Sequence, residues 1–324
     1  MHSYHRRAYT IIDVGVLVGV IGVGLCLIAL AGSRSRALSG LGRSISNLKQ
    51  TADAIAQHAG DNADLAPGYS WKQGDTSSSF ADLRNPATDL DAAAYQAVDI
   101  IRRRSNVPGF QKILGWIPHL FYVHLPLADY LNTPAPLPFG VSAEDRKLEK
   151  WSSDPSKWAQ NGAPSSRIPF KSSYEWSASL WSLSPSGSAA IHQDGLSYST
   201  YMLPSNTVVG QRQLSTYAFP AHKALLWEQA QRYFGPREAW FMYSEARVPV
   251  ATADGSVRVR AGRNSNNGWK PATPASSAPS MVLYDSDGSV DPPPLSGVSS
   301  TLNGRYRWTR QMAGGRDFDA GEVN

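Results

Sequence analysis

The chain has 324 residues, enough for a helical segment plus one or two globular units, and carries a formal net charge of +5 from 31 Lys and Arg against 26 Asp and Glu. Apart from Arg102-Arg103-Arg104 there is no basic block, and no run interleaves Lys or Arg with aromatics as a nucleic-acid reader would, so nucleic acid is not a favoured partner. The single cysteine, Cys26, lies in the N-terminal apolar run, which leaves the remainder without disulfide or thiolate chemistry and dependent on core packing, with 10 Trp and 14 Tyr as large contributors.

The chain opens on a basic leader, His5-Arg6-Arg7-Ala8, followed by Tyr9-Thr10-Ile11-Ile12-Asp13 and an uncharged apolar run from Val14 to about Ala31. A run of about 18 residues falls within the ~17–25 that span a bilayer, which predicts one transmembrane helix. Flanking charge does not orient it, because Arg6 and Arg7 precede it while Arg34, Arg36, Arg43 and Lys49 follow. Cleavage after Ala29-Leu30-Ala31, as in a secretory signal, is a second reading; Asp13 argues against it, since an h-region gains nothing from an acid. Gly15 and Gly19 form a G-x-x-x-G pattern that allows close helix–helix approach in lipid. A carboxylate carried to mid-bilayer costs up to roughly 2.5–3.5 kcal/mol, so Asp13 calls for a compensating partner.

Beyond the apolar run, Leu38, Leu41, Ile45, Leu48, Ala52 and Ile55 recur every three or four residues and predict the seam of an amphipathic helix reaching to about His58, weakened locally at Gly40 and Gly42. Residues 60–85 are rich in Gly, Ser, Asp and Pro and read as a linker or long loop. A helix is predicted from Asp89 to Arg104, with Leu90, Ala94, Val98 and Ile101 on one face. Residues 105–165 carry frequent Pro without a sustained period and read as irregular.

From about Arg167 onward the pattern is of short strands between Gly, Pro and Asn turns: Ser177–Leu183, Ser197–Met202, Gln213–Phe219, Arg247–Thr252, Ser256–Arg260, Ser280–Tyr284 and Tyr306–Arg310. The clearest hairpin pairs Val248-Pro249-Val250 with Val257-Arg258-Val259 across a structural turn at Asp254-Gly255, which supplies positive φ; Pro249 then suits an edge strand.

Catalytic signals are lacking. The histidines have no metal-ligand spacing, and there is no G-x-S-x-G elbow, P-loop or dinucleotide fingerprint, which disfavours an enzyme. Asp285, Asp287 and Asp291 surround the Gly288 turn as candidate oxygen ligands for Ca²⁺, although the distal Glu of an EF-hand loop is missing; the competing reading is a turn with solvated carboxylates.

Ala8-Tyr9-Thr10-Ile11-Ile12-Asp13 resembles the processing site of type IV pilin-like proteins and type II secretion pseudopilins. The resemblance implies cleavage by a prepilin peptidase between Ala8 and Tyr9, methylation of the new amine, and assembly through Thr10 and Asp13, with Asp13 neutralising the N-terminal amine of an adjacent subunit. Ala8 stands where that pattern has Gly, and Asp13 where it has Glu. The segment Ala246–Val259, Asn267-Gly268-Trp269 and the ending from Gly304 to Val323 resemble the bacterial prepilin-type proteins with a β-rich, Asp-Gly-containing head.

The expectation is therefore an α+β chain: a long N-terminal transmembrane and amphipathic helix followed by a mainly antiparallel β head, pilin-like in plan. Its segments would be a leader (1–8), a transmembrane helix (9–33), a helix extension (34–59), a linker, helix and irregular region (60–165) and an extracytoplasmic head (166–324). The expected role is a structural subunit of the inner membrane, single-pass, with its head in the periplasm or at the cell surface and with copies of itself or other pilin-like subunits as partners. The alternative is a tethered or secreted β-rich module that binds a glycan or a protein.

Overall fold

The computed structural model describes residues 11–118, 120–153, 170–198, 201–204, 209–286 and 291–318. Four helices are assigned: α1 (Ile11–Asp61), α2 (Asp89–Ser105), α3 (His124–Tyr130) and α4 (Arg146–Ser152). The strands are β1 (Tyr174–Trp176), β2 (His192–Gln193), β3 (Tyr201–Met202), β4 (Ala224–Glu228), β5 (Ala230–Gln231), β6 (Ala239–Trp240), β7 (Arg247–Thr252), β8 (Val257–Ala261), β9 (Met281–Tyr284) and β10 (Ser300–Asn303). One antiparallel sheet runs β1-β4-β7-β8, and the pairs β2–β3, β5–β6 and β9–β10 are separate two-stranded ribbons.

The sheet is the middle of three layers. On one face lies α1, packed on β7, β4 and β8, its Leu48, Ala52 and Ile55 sharing a core with Trp176, Leu226 and Ala251. On the other face, Trp227, Val248 and Val250 join Trp240, Phe241, Tyr284, Tyr306 and Phe318 in an aromatic cluster. Because successive side chains of a strand point to opposite faces, Leu226 and Trp227 enter different cores, and all five residues of β4 are buried. Residues within 60–165 contribute to the first core through Ala66, Leu83, α2 and α3. Thr88 caps α2, its hydroxyl accepting from the Asp91 amide at 3.1 Å, and Asn106 in the left-handed region (φ 56°) ends the helix.

Several expectations are corrected. No helix among the described residues is long and apolar enough to cross a membrane, which overturns the transmembrane helix and the single-pass inner-membrane placement. The described side chains of α1 include Arg43, Lys49, Asp53 and Asp61, which leave no uncharged span of about 20 residues. The run Val14–Ala31 has its side chains outside the described residues. The mainly antiparallel β head on a pilin-like plan is corrected as well: among the described residues the body is moderately β-rich, with one small sheet, three two-stranded ribbons, α2 and α3 in the core that α1 shares with the sheet, and the short helix α4.

Within the elements, the seam of α1 follows the expected one at Leu48, Ala52 and Ile55 and departs from it before Leu48. The buried stripe is Gly40, Ser44, Leu48, Thr51, Ala52, Ala54, Ile55, His58 and Ala59, whereas Leu38 is 61% exposed and Leu41 and Ile45 are half-buried. Parts of the expected strands Ser177–Leu183, Gln213–Phe219 and Tyr306–Arg310 wind into single 3-10 turns at Ala178–Leu180, Leu214–Thr216 and Arg305–Trp308. The "irregular" stretch contains α3 and α4. Pro249 is not on an edge strand, since β7 lies between β4 and β8. It is tolerated because the Thr252 amide bonds the Ser256 carbonyl and the Gly262 amide the Ala246 carbonyl, which sets even-numbered β7 residues toward β8 and turns the Pro249 nitrogen toward β4, beyond the last β4 partner at Val250.

Candidate functional site

The densest polar constellation lies where α1 meets the sheet. Ser44, one turn after Gly40 in the buried stripe, donates to Glu228 Oε2 at 2.6 Å and lies 3.2 Å from the Tyr174 hydroxyl. Glu228, the last residue of β4, also accepts from Ser142 at 2.8 Å and from Arg232 at 3.0 Å on Oε1. The other arm of Arg232 donates to Asp145 Oδ2 at 2.6 Å, and Asp145 in turn caps α4 by accepting from the Leu148 amide. Ser173 donates to the same Asp145 oxygen at 2.9 Å, and the Tyr233 hydroxyl is 2.7 Å from Ser142.

The side chains of Glu228, Asp145, Arg232 and Tyr174 are all buried. Burial pushes the Glu228 carboxyl upward against the opposing pull of Arg232 and the two serine hydroxyls, and it raises the Tyr174 phenol, with Glu228 adding to the effect. Gly40 belongs to this junction, because a Cβ there would meet the Tyr233 ring at 2.9 Å and Glu144 at 3.1 Å. The glycine expected to weaken the helix is thus the one that lets it seat.

Three further buried pairs lie beside the same sheet. Arg307 closes bidentately on Glu175, the residue at the centre of β1, and Lys171 donates to Asp291 at 2.6 Å with Gln229 adding a second bond at 2.8 Å. Lys223, immediately before β4, donates to Thr309 Oγ1 at 2.6 Å and to the Met312 carbonyl, with Asp317 3.9 Å away. Burial brings its ammonium down to about 8, with Asp317 pulling the other way. Chemically these groups hold segments together: each carboxylate answers a cation inside the fold, and the hydroxyls of Ser142 and Ser173 donate to carboxylates that already have an arginine.

The predicted site residues fall in different places. Ala8, Tyr9 and Thr10 lie outside the described residues, and Asp13, Gly15 and Gly19 lie in α1 with their side chains outside them. Asp254 and Gly255 form the β7–β8 turn: Gly255 has φ +79°, and Asp254 Oδ1 accepts from Thr252 Oγ1 at 2.6 Å and the Ser256 amide at 3.0 Å. A groove of about 410 Å³ runs between this turn and Ile45 and Lys49 of α1. Of the proposed calcium ligands, Asp291 points inward to Lys171, Asp285 is exposed and accepts from Ser299 at 2.6 Å, and Asp287 lies outside the described residues. Among the described residues no group of three His, Cys, Asp or Glu is arranged to hold a metal. Arg102, Arg103 and Arg104 engage Asp82, Asp99 and Asp129 within the fold.

The junction residues Ser44, Asp145, Glu228 and Arg232 carried one sequence signal, a serine inside an apolar seam, and a second in the i,i+4 spacing of Glu228 and Arg232. Neither points to its partner. No protein family, no curated protein and no solved structure matches this chain.

Proposed function

We propose that the chain is a structural subunit, pilin-like in its assembly chemistry, that joins other copies or related subunits through its N-terminal helix while the rest of the chain acts as a rigid body behind it. The observation that carries this reading is the junction itself. Helix α1 is fixed to the sheet both by Leu48, Ala52 and Ile55 and by a desolvated hydrogen bond from Ser44 to Glu228, so a force applied to the helix is delivered to the sheet. Charged groups buried and paired in this way specify one geometry for the contact. The order Ala8-Tyr9-Thr10-Ile11-Ile12-Asp13 supports the same reading from the sequence side.

The test is the mature N-terminus. Mass spectrometry of the protein from its native host is expected to find Tyr9 first, N-methylated; Gly32 as the first residue overturns the reading in favour of a secreted protein. Asp13→Ala is expected to abolish incorporation into assemblies while leaving the folded body intact by circular dichroism.

A further inference from the structure

The sheet ends at β8, and the phase of its pairing with β7 fixes what that edge presents. With Thr252 and Gly262 amides bonded across the hairpin to Ser256 and Ala246, the main-chain groups of Arg258 and Arg260 face β7. Those of Val257, Val259 and Ala261 therefore face away from it, and among the described residues they have no hydrogen-bond partner. An edge of this kind is a template for another strand.

The side chains choose between occupants. Among the described residues Arg258 is exposed without an ion-pair partner, and Arg260 is half-buried, its guanidinium over the Phe318 ring and its Nε without a hydrogen bond. Arg263, just past the strand, is likewise exposed and has no ion-pair partner among the described residues. A second copy pairing antiparallel about Val259 would set Arg258 opposite the arginine two residues on in its partner, a like-charge juxtaposition that destabilises strand pairing. An added strand with carboxylates at alternate positions meets the same arginines favourably and completes the main-chain ladder, as in strand-addition recognition.

We propose that the open edge of β8 binds an extended acidic segment of a partner protein as a fifth strand. This uses no residue of the N-terminal motif, so failure of the assembly reading leaves it standing. The experiment is fluorescence anisotropy with a labelled peptide of alternating Glu and Val, against a matched peptide with Lys in place of Glu, combined with hydrogen exchange over residues 257–261.

The Glu peptide is expected to bind, to weaken with added salt and to protect the β8 amides, and the Lys peptide is expected not to bind. Val259→Pro deletes an outward amide without touching the β7 ladder and should weaken binding by about tenfold or more. Arg258→Glu should lose the Glu peptide and gain the Lys one, and it decides the matter if Val259→Pro misfolds. Absence of binding, equal binding of both peptides, or binding unchanged in Val259→Pro overturns the proposal. A wild-type dimer dissociated by Val259→Pro overturns it in favour of a second copy.

Discussion

Arg307 lies over the rings of Trp240 and Phe241, 5.0 Å and 5.6 Å from their centroids, and closes on Glu175 with both residues nearly inaccessible to solvent. Burial raises the Glu175 carboxyl and Arg307 opposes the rise, so contact between the two offsets the cost of desolvating them. Arg307→Leu leaves a buried carboxylate alone and is expected to lower unfolding free energy by about 3–5 kcal/mol in urea denaturation; adding Glu175→Leu should restore most of it. The sequence gives no sign of this pair, because Glu175 sits 132 positions from its partner. What it does show at residue scale is Asp254-Gly255, whose requirement for positive φ is satisfied within the turn itself.

At the scale of elements, α1 shows why two identical residue types in one helix have opposite meanings. A Cβ on Gly42 meets nothing within 4 Å, whereas one on Gly40 meets the buried Tyr233 ring at 2.9 Å. Gly42→Ala is therefore expected to stabilise the protein by about 1 kcal/mol through helix propensity. Gly40→Ala should forfeit that gain by displacing Tyr233 from Ser142, a difference that thermal unfolding of the two variants would register. Helix α2 was readable because its apolar spacing is local, and the β7–β8 hairpin because its turn is. Strand β4 was not: buried on both faces, Ala224-Leu225-Leu226-Trp227 lacks the alternation that marks a half-exposed strand. The α1 seam was read correctly at Leu48, Ala52 and Ile55 and misplaced before them, since Gly40 and Ser44, neither of them apolar signals, are the buried positions there.

For the whole molecule, pH is the variable that tests how its layers depend on one another. His124, 1% exposed beside Tyr122, is pulled down to about 4 by burial. Its folded value lies below the unfolded one near 6.5, so the stabilisation from the neutral ring is complete above about pH 6.5 and is lost as pH falls toward about 4. The difference between the stability–pH curves of the wild type and His124→Leu is expected to change by about 3 kcal/mol across that window, since the raised carboxyls of Glu175, Glu228 and Asp317 contribute to both curves. The sequence by itself determined α2, the β7–β8 hairpin and its Asp-Gly turn, and the periodicity of the α1 seam, because each is specified by residues within a few positions of one another. Only the tertiary structure decided which faces are buried, that among the described residues β4 is an inner strand and β8 an edge, and that Ser44 reaches Glu228 across 184 positions. Those outcomes rest on the desolvation of charges and on layers packed from distant segments, and a carboxylate carries no local mark of the cation that will neutralise it.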